Sequence, residues 1–295
     1  MSVLRTFRKL TSAPINRDQK VAALWRYAKW QVGSRLVPGR VLVNWVDGVK
    51  FIAGPGEHGL TGNVYSGLHE FDDMAYVIHA LDSNDWFADV GANAGSYTLL
   101  ACGVAGAQGY AFEPVPDTYR KLILNLAVND LLKRVRPLNQ GVGAERGVLR
   151  FTSGLDCTNH VLAEGEVDER AVEVPVATLD DSIEQVPSMM KIDVEGYETM
   201  VLRGSSKTLA DLRLNSLLIE LNGAGERYGF SEDAIATMLQ EVGFQAMKYD
   251  PMRRELSPLG AARNRSGNTL YVRDVESARR RVQSAPSRRV LGKSI

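Results

Sequence analysis

Apolar residues recur at Val21, Leu24, Trp25 and Ala28, with Lys20, Arg26 and Lys29 between them, which is helical spacing over residues 17–30. Asn16 stands where an N-cap belongs and Gly33 where such a helix stops. Two strand-like runs, 41–46 and 49–53, flank Asp47-Gly48, a two-residue hairpin signal. A Gly-rich loop over 54–67 and a helix over 70–81 follow. From residue 86 the pattern alternates. Short apolar runs at 86–90, 109–112, 135–138, 189–192, 216–221 and 244–249 are separated by helical stretches at 96–102, 117–129, 197–202 and 231–242. Strand and helix in alternation predict a doubly wound α/β domain on a mostly parallel sheet. Runs at 148–152 and 171–176 predict two further strands around a polar insert, 153–170, and 268–272 predicts a last strand.

These elements divide the chain into an N-terminal extension with a basic helix and a β-hairpin (1–66), a main domain (67–275) and a basic tail (276–295). The tail carries Arg279, Arg280, Arg281, Arg288, Arg289 and Lys293, which predicts a frayed, solvated end. The N-terminal helix reads either as a helix packed on the domain edge or as a membrane-surface helix. The basic termini together admit peripheral membrane contact as the minority reading.

Thirty-five basic residues balance thirty-five acidic ones, so the chain lacks the basic excess that a nucleic-acid partner calls for. Cys102 and Cys157 lie in no metal-type spacing and suit a reducing compartment. With no apolar run of about 20 residues, a cytoplasmic protein is expected.

The chemistry begins at Asp89-Val90-Gly91-Ala92-Asn93-Ala94-Gly95, fed by a strand and left by a helix. In an open parallel sheet such a turn lies at the ligand-binding edge. Its glycines permit close backbone approach, and the helix N-terminus suits a carboxylate. Gly91 and Gly95 enclose three residues without the middle glycine of a dinucleotide fingerprint. Asp89 would repel a pyrophosphate and attract an ammonium. A ligand with both an amine and a carboxylate fits, and the methionine half of S-adenosylmethionine has both. Glu113 closes the next strand 22 residues after Gly91, near where an acid meets ribose hydroxyls. The plain alternative is that Asp89 and Glu113 cap helices.

The same residues resemble the FkbM family of S-adenosylmethionine-dependent methyltransferases. The likeness rests on the run 87–95, Phe112-Glu113-Pro114, Thr178-Leu179-Asp180-Asp181, Lys191-Ile192-Asp193-Val194-Glu195-Gly196-Tyr197-Glu198, Val201-Leu202-Arg203-Gly204 and Leu218-Ile219-Glu220-Leu221, and covers about 68–249. The resemblance implies a class I, Rossmann-like, seven-stranded sheet with its last strand antiparallel. It implies O-methylation directed at sugars or natural products, with Asp89, Gly91, Asn93, Gly95 and Glu113 as cofactor contacts. The sequence departs from the family pattern at Gln140-Gly141-Val142-Gly143, on the adenine side.

A hydroxyl acceptor needs a base or a metal to take its charge. Asp193, Glu195 and Glu198 crowd three carboxylates into six residues and are the catalytic candidates. A second reading has Asp193, Glu220 and Asn222 hold a divalent metal, Mg²⁺ by the hardness of the ligands. A third has Glu195 and Glu198 merely favour a helix N-terminus, with Lys191 pairing one of them. His69, His160 and His58 read as solvated or structural, with a smaller chance of a role, and the insert 153–170 reads as a lid. The expected function is an O-methyltransferase acting on a sugar, glycolipid or secondary-metabolite hydroxyl. The alternatives are an NAD-dependent oxidoreductase and a non-catalytic cofactor-binding scaffold.

Overall fold

The computed structural model describes residues 10, 11, 13–36 and 39–295. A hairpin pairs β1 (Val41–Asn44) with β2 (Lys50–Ala53), and the centre of the fold is an eight-stranded sheet. The strands are β3 (Trp86–Val90), β4 (Gln108–Phe112), β5 (Val135–Leu138), β9 (Met189–Ile192), β10 (Ser216–Glu220), β11 (Gln245–Asp250), β12 (Glu255–Pro258) and β13 (Asn268–Val272). β5, β4, β3, β9 and β10 pair in parallel, and β13 runs antiparallel between β10 and β11. This is the expected doubly wound, Rossmann-like sheet, with one strand more than the expected seven. The addition, β12, pairs along the edge of β11. Its run Glu255-Leu256-Ser257-Pro258 holds one buried apolar side chain, Leu256, too little pattern to show as a strand.

Period-two alternation sends successive strand residues to opposite faces. Phe87, Met189, Leu218 and Val272 join the core on one face, with Leu99 and Leu122 from the covering helices. Ala88, Val90, Met190, Ile192, Leu217 and Ile219 join the other. Asp89 and Lys191 therefore share the first face, and the β3–β9 register sets them side by side. The chain order reverses between β3 and β9, and the loops leaving these two strands open the crevice where ligands bind in such sheets.

Three expectations change. The Gly-rich stretch is largely a helix, His58–Ser66. A Cβ at Gly62 would fall 2.5 Å from His69 Nδ1, so glycine serves there for close packing rather than for a loop. The tail is not frayed. It forms a helix, Val275–Ser284, and a short hairpin that buries Val282, Val290 and Ile295. Its Arg281 bonds the Ala80 carbonyl at 2.9 Å and the Asp85 carboxylate, so charges that read as solvated hold the tail to the domain. The N-terminal extension is not a separate unit either, because Val46, Phe51, Ala53 and Leu60 enter the main core. The polar insert is flanked by a small sheet of β6 (Gly141–Val142), β8 (Val172–Ala177) and β7 (Gly147–Phe151).

Candidate active site

A cleft of about 290 Å³ opens at the switch point, near the lower size of small-molecule sites. Asp89, Gly91, Asn93 and Glu113 line one end, and Lys191, Asp193, Glu195 and Glu220 the other. Gly95 does not line it. At φ +93° it turns the chain into the helix and leaves room for Leu122, which a Cβ would meet at 2.7 Å.

At the first end the acids are tied to the backbone. Asp89 Oδ2 accepts the Thr98 N–H at 3.0 Å and its hydroxyl at 2.5 Å. Glu113 accepts the N–H of Asn93 at 3.0 Å and of Val115 at 2.9 Å, one on each oxygen. Both acids thus do cap local backbone, and both still line the cleft. Each Glu113 oxygen has a lone pair beyond its single bond. Burial pushes Asp89 up to about 6 and Glu113 up to about 7, with the hydrogen bonds opposing. Asn93 sits at φ +51° and its Oδ1 accepts the Ala94 N–H at 2.6 Å, which fixes the turn.

At the second end the acids are tied to one another and to a cation. Lys191 is fully buried and lies 3.2 Å from Asp193 Oδ2. Burial alone would depress its ammonium, but the charges of Asp193, Glu70, Glu220 and Asp89 outweigh that and hold its pKa above the ordinary value. Burial, the Asp193 charge and a hydrogen bond with Asp193 push Glu220 well above the ordinary carboxylate value, which favours its protonated form. Glu195 lies beside them in a left-handed conformation, φ +53°, and burial with the Asp193 charge pushes it up to about 7. A non-glycine residue there costs roughly 1–2 kcal/mol, a strain that clusters at functional sites. Behind Lys191, Tyr97 donates to Glu70 at 2.9 Å, and Asn268 donates to Glu70 at 2.8 Å and to Asp73 at 3.0 Å.

The two ends touch. Gly91, at φ +84°, passes so close to β9 that any Cβ would overlap the Asp193 carbonyl oxygen. The Asp193 N–H in turn donates to the Val90 carbonyl at 2.9 Å.

Two assignments need correction. Glu198 does not line the cleft. It is buried, and its Oε1 accepts the N–H groups of Val194 at 3.2 Å and Gly196 at 3.1 Å, holding the turn that presents Glu195. The expected metal trio does not assemble either. Asn222 donates from Nδ2 to Glu220 at 3.4 Å, and its Oδ1 accepts the Ala224 N–H at 2.9 Å. The carboxylates that converge are Asp193, Glu195 and Glu220, with oxygens within 4.8 Å of one another. A buried cation already stands among them as Lys191, 3.2 Å from Asp193, so these acids are charge-paired within the protein itself. Lys191 pairs Asp193, not Glu195 or Glu198. A lysine in the otherwise apolar run Met189-Met190-Lys191-Ile192 was the signal that a buried ion pair awaited it. Glu70, Tyr97 and Asn268 carried no comparable mark.

Among the histidines, His69 lines the cleft, and His160 pairs Glu166 at 2.9 Å within the insert. Cys157 and Asn159 bring the insert to the cleft, and Tyr228 donates to the Val161 carbonyl at 2.5 Å to hold it. The first end fits S-adenosylmethionine: one acid beside the glycine turn for an ammonium, and one buried acid with spare acceptor capacity for ribose hydroxyls, while the one basic side chain among the described lining residues, Lys191, is engaged by Asp193.

Residues 89–246 match the family described as the Methyltransferase FkbM domain. The chain is 29% identical to the methyltransferase sdnD of Sordaria araneosa over 59% of its own length and 79% of that protein. It is 26% identical to the hexuronic acid methyltransferase AglP of Haloferax volcanii, over 52% of this chain and 62% of that one. A crystal structure of an FkbM methyltransferase from Methylobacillus flagellatus superposes with a TM-score of 0.45 at 15% identity, covering 72% of this chain and 52% of that one.

Proposed function

The chain belongs to the FkbM methyltransferase family, and on that premise we propose that it moves the methyl group of S-adenosylmethionine to a hydroxyl of an uncharged sugar, glycolipid or secondary metabolite. Family membership makes it a methyltransferase and sets aside the oxidoreductase and scaffold readings. When bound, the cofactor supplies a methyl on a sulfonium, already a good leaving group. The residues then have to hold the two reactants in line and accept one proton.

The observation that carries the reading is the placement of Glu195. It stands at the cleft beside Asp193, whose backbone the Gly91 turn contacts, and burial tunes it to about 7. A base works best with a pKa near the operating pH. Asp193 is the weaker candidate, because its carboxylate is already taken up by the Lys191 ammonium at 3.2 Å. In this reading Glu195 accepts the hydroxyl proton as the oxygen–carbon bond forms and the sulfur–carbon bond breaks. Asp193 and Glu220 accept and donate hydrogen bonds that orient the acceptor, and Lys191 fixes Asp193.

Charge also favours a neutral acceptor. Even without Glu220, the carboxylates of Glu70, Asp193 and Glu195 face a single lysine at this end of the cleft, an arrangement that repels a carboxylate substrate. The test is transfer of labelled methyl from S-adenosylmethionine to neutral glycosides and to matched hexuronates. Label on the neutral glycoside that survives mild base is a methyl ether, as expected. Base-labile label found on hexuronates alone would overturn the assignment. So would calorimetry showing heat for NAD and none for S-adenosylmethionine.

A further inference from the structure

The helix Lys20–Leu36 is apolar on two opposite sides. Toward the body it buries Ala23, sets Tyr27 edge-on to Tyr65 at a ring distance of 5.4 Å, and packs Trp30 against the core. The other side carries Val21, Trp25, Val32 and Leu36, which are 82%, 69%, 57% and 75% exposed. At 3.6 residues per turn these four fall within an arc of roughly 60°, and the exposed Ala28 borders it about 20° beyond one edge. One apolar face suffices to dock a helix on its own domain. The second is one more than this fold uses.

The charge around the stripe says what it fits. Arg17, Lys20, Lys29 and Arg35 are exposed along its flanks, and the one acid in 17–36, Asp18, pairs with Lys293 at 3.0 Å. The whole chain has no net charge, so this excess is local. An aromatic and aliphatic stripe bordered by bases is the composition of a helix that lies in the interface of an anionic bilayer. No helix among the described residues is long and apolar enough to cross a membrane. Two of the tail arginines are engaged within the domain, Arg281 with Asp85 and Arg288 with Asp47 at 3.2 Å. The helix rests on His58–Ser66, whose Gly59 and Leu60 line the cleft, so a surface bound here lies close to the site.

We propose that the outward face of Lys20–Leu36 docks the enzyme on an anionic membrane surface, with Trp25 and its apolar neighbours inserted and the flanking bases against lipid headgroups. The experiment is co-flotation of the full chain with phosphatidylcholine vesicles, alone or mixed with phosphatidylglycerol, read also by tryptophan emission. It needs no methyl transfer, so its outcome is independent of the proposed chemistry. The wild type floats with the mixed vesicles, its emission shifts to the blue, and high salt releases it. Trp25→Asp abolishes the flotation and the shift. Lys20→Gln with Lys29→Gln weakens binding about 30-fold, at roughly 1 kcal/mol for each charge removed. Circular dichroism and an unchanged unfolding midpoint show that each variant is folded. Equal flotation with neutral vesicles, or none with either, overturns the proposal. It is equally overturned if the wild type forms a dimer in sedimentation that Trp25→Asp dissolves, because the face is then covered by a second copy of this chain.

Discussion

The two ends of the cleft both present buried carboxylates, but they hold them by different means. Asp89 and Glu113 are fixed by the N–H groups of Thr98, Asn93 and Val115, all within 20 residues of the acid they bond and all part of two successive strand–turn–helix units. Asp193 and Glu220 are fixed by each other and by Lys191, with Glu195 alongside, on two different strands. The first arrangement makes stable acceptors for hydrogen-bond donors on a ligand. The second leaves protons that can move. Neighbouring N–H donors give a binding site, whereas charges that answer only to one another give a place for proton transfer.

Removing the lysine should do most to break this contrast. Lys191→Met leaves Asp193, Glu220 and Glu70 without their cation, and loss of one partner of a buried pair costs about 3–5 kcal/mol. Chemical denaturation should show that loss. A midpoint unchanged from wild type would mean the acids had simply taken up protons. Next in size is Glu195→Gln, for which kcat should fall on the order of 10²–10⁴-fold while the Kd for S-adenosylmethionine stays within a few-fold. In the wild type, kcat/KM should rise as pH passes through about 7, where Glu195 loses its proton, and the variant should lack that limb. At the other end, Glu113→Gln should do the reverse. It should weaken S-adenosylmethionine binding about 10- to 100-fold, the worth of hydrogen bonds to a charged group, and leave kcat at saturation nearly unchanged.

A smaller effect follows from pH on the ligand-free chain. Burial holds Asp89, Glu113 and Glu198 at about 6 to 7 when folded, above their unfolded values near 4. The folded state therefore binds more protons across that interval. The stability these groups contribute is full below about pH 4 and is lost as pH rises through 6 to 7. The unfolding midpoint should fall between about pH 5 and pH 8, and S-adenosylmethionine should recover more of it at the upper end. Smallest of all is the effect of a chelator, which should alter the initial rate by less than about twofold, because Lys191 already neutralises the acids a metal would use.

Local pattern carried much of this protein. The six strands of the parallel alternation and the hairpin at Asp47-Gly48 follow from periodicity and turn residues, which act within a few positions of one another. The glycine turn and Glu113 were legible for the same reason, since a strand end, a turn and a helix start are contiguous. Glu198 misled because its position in the run placed it with the acids, while its helix turned it back onto the backbone of Val194 and Gly196. The tail arginines misled because a charge run looks solvated until Asp85 and Asp47 are brought to it from some 200 residues away or more.

By itself, then, the sequence determined the α/β alternation, the family motif and the chemistry available at the strand ends, because these depend on residue type and short-range spacing. Only the tertiary structure decided which charges meet. The parallel register of β3 and β9 set Asp89 beside Lys191, and the neighbouring β10 brought Glu220 to Asp193. Burial and mutual distance govern both the ionisation of those groups and their roles, and neither quantity exists until the strands have paired.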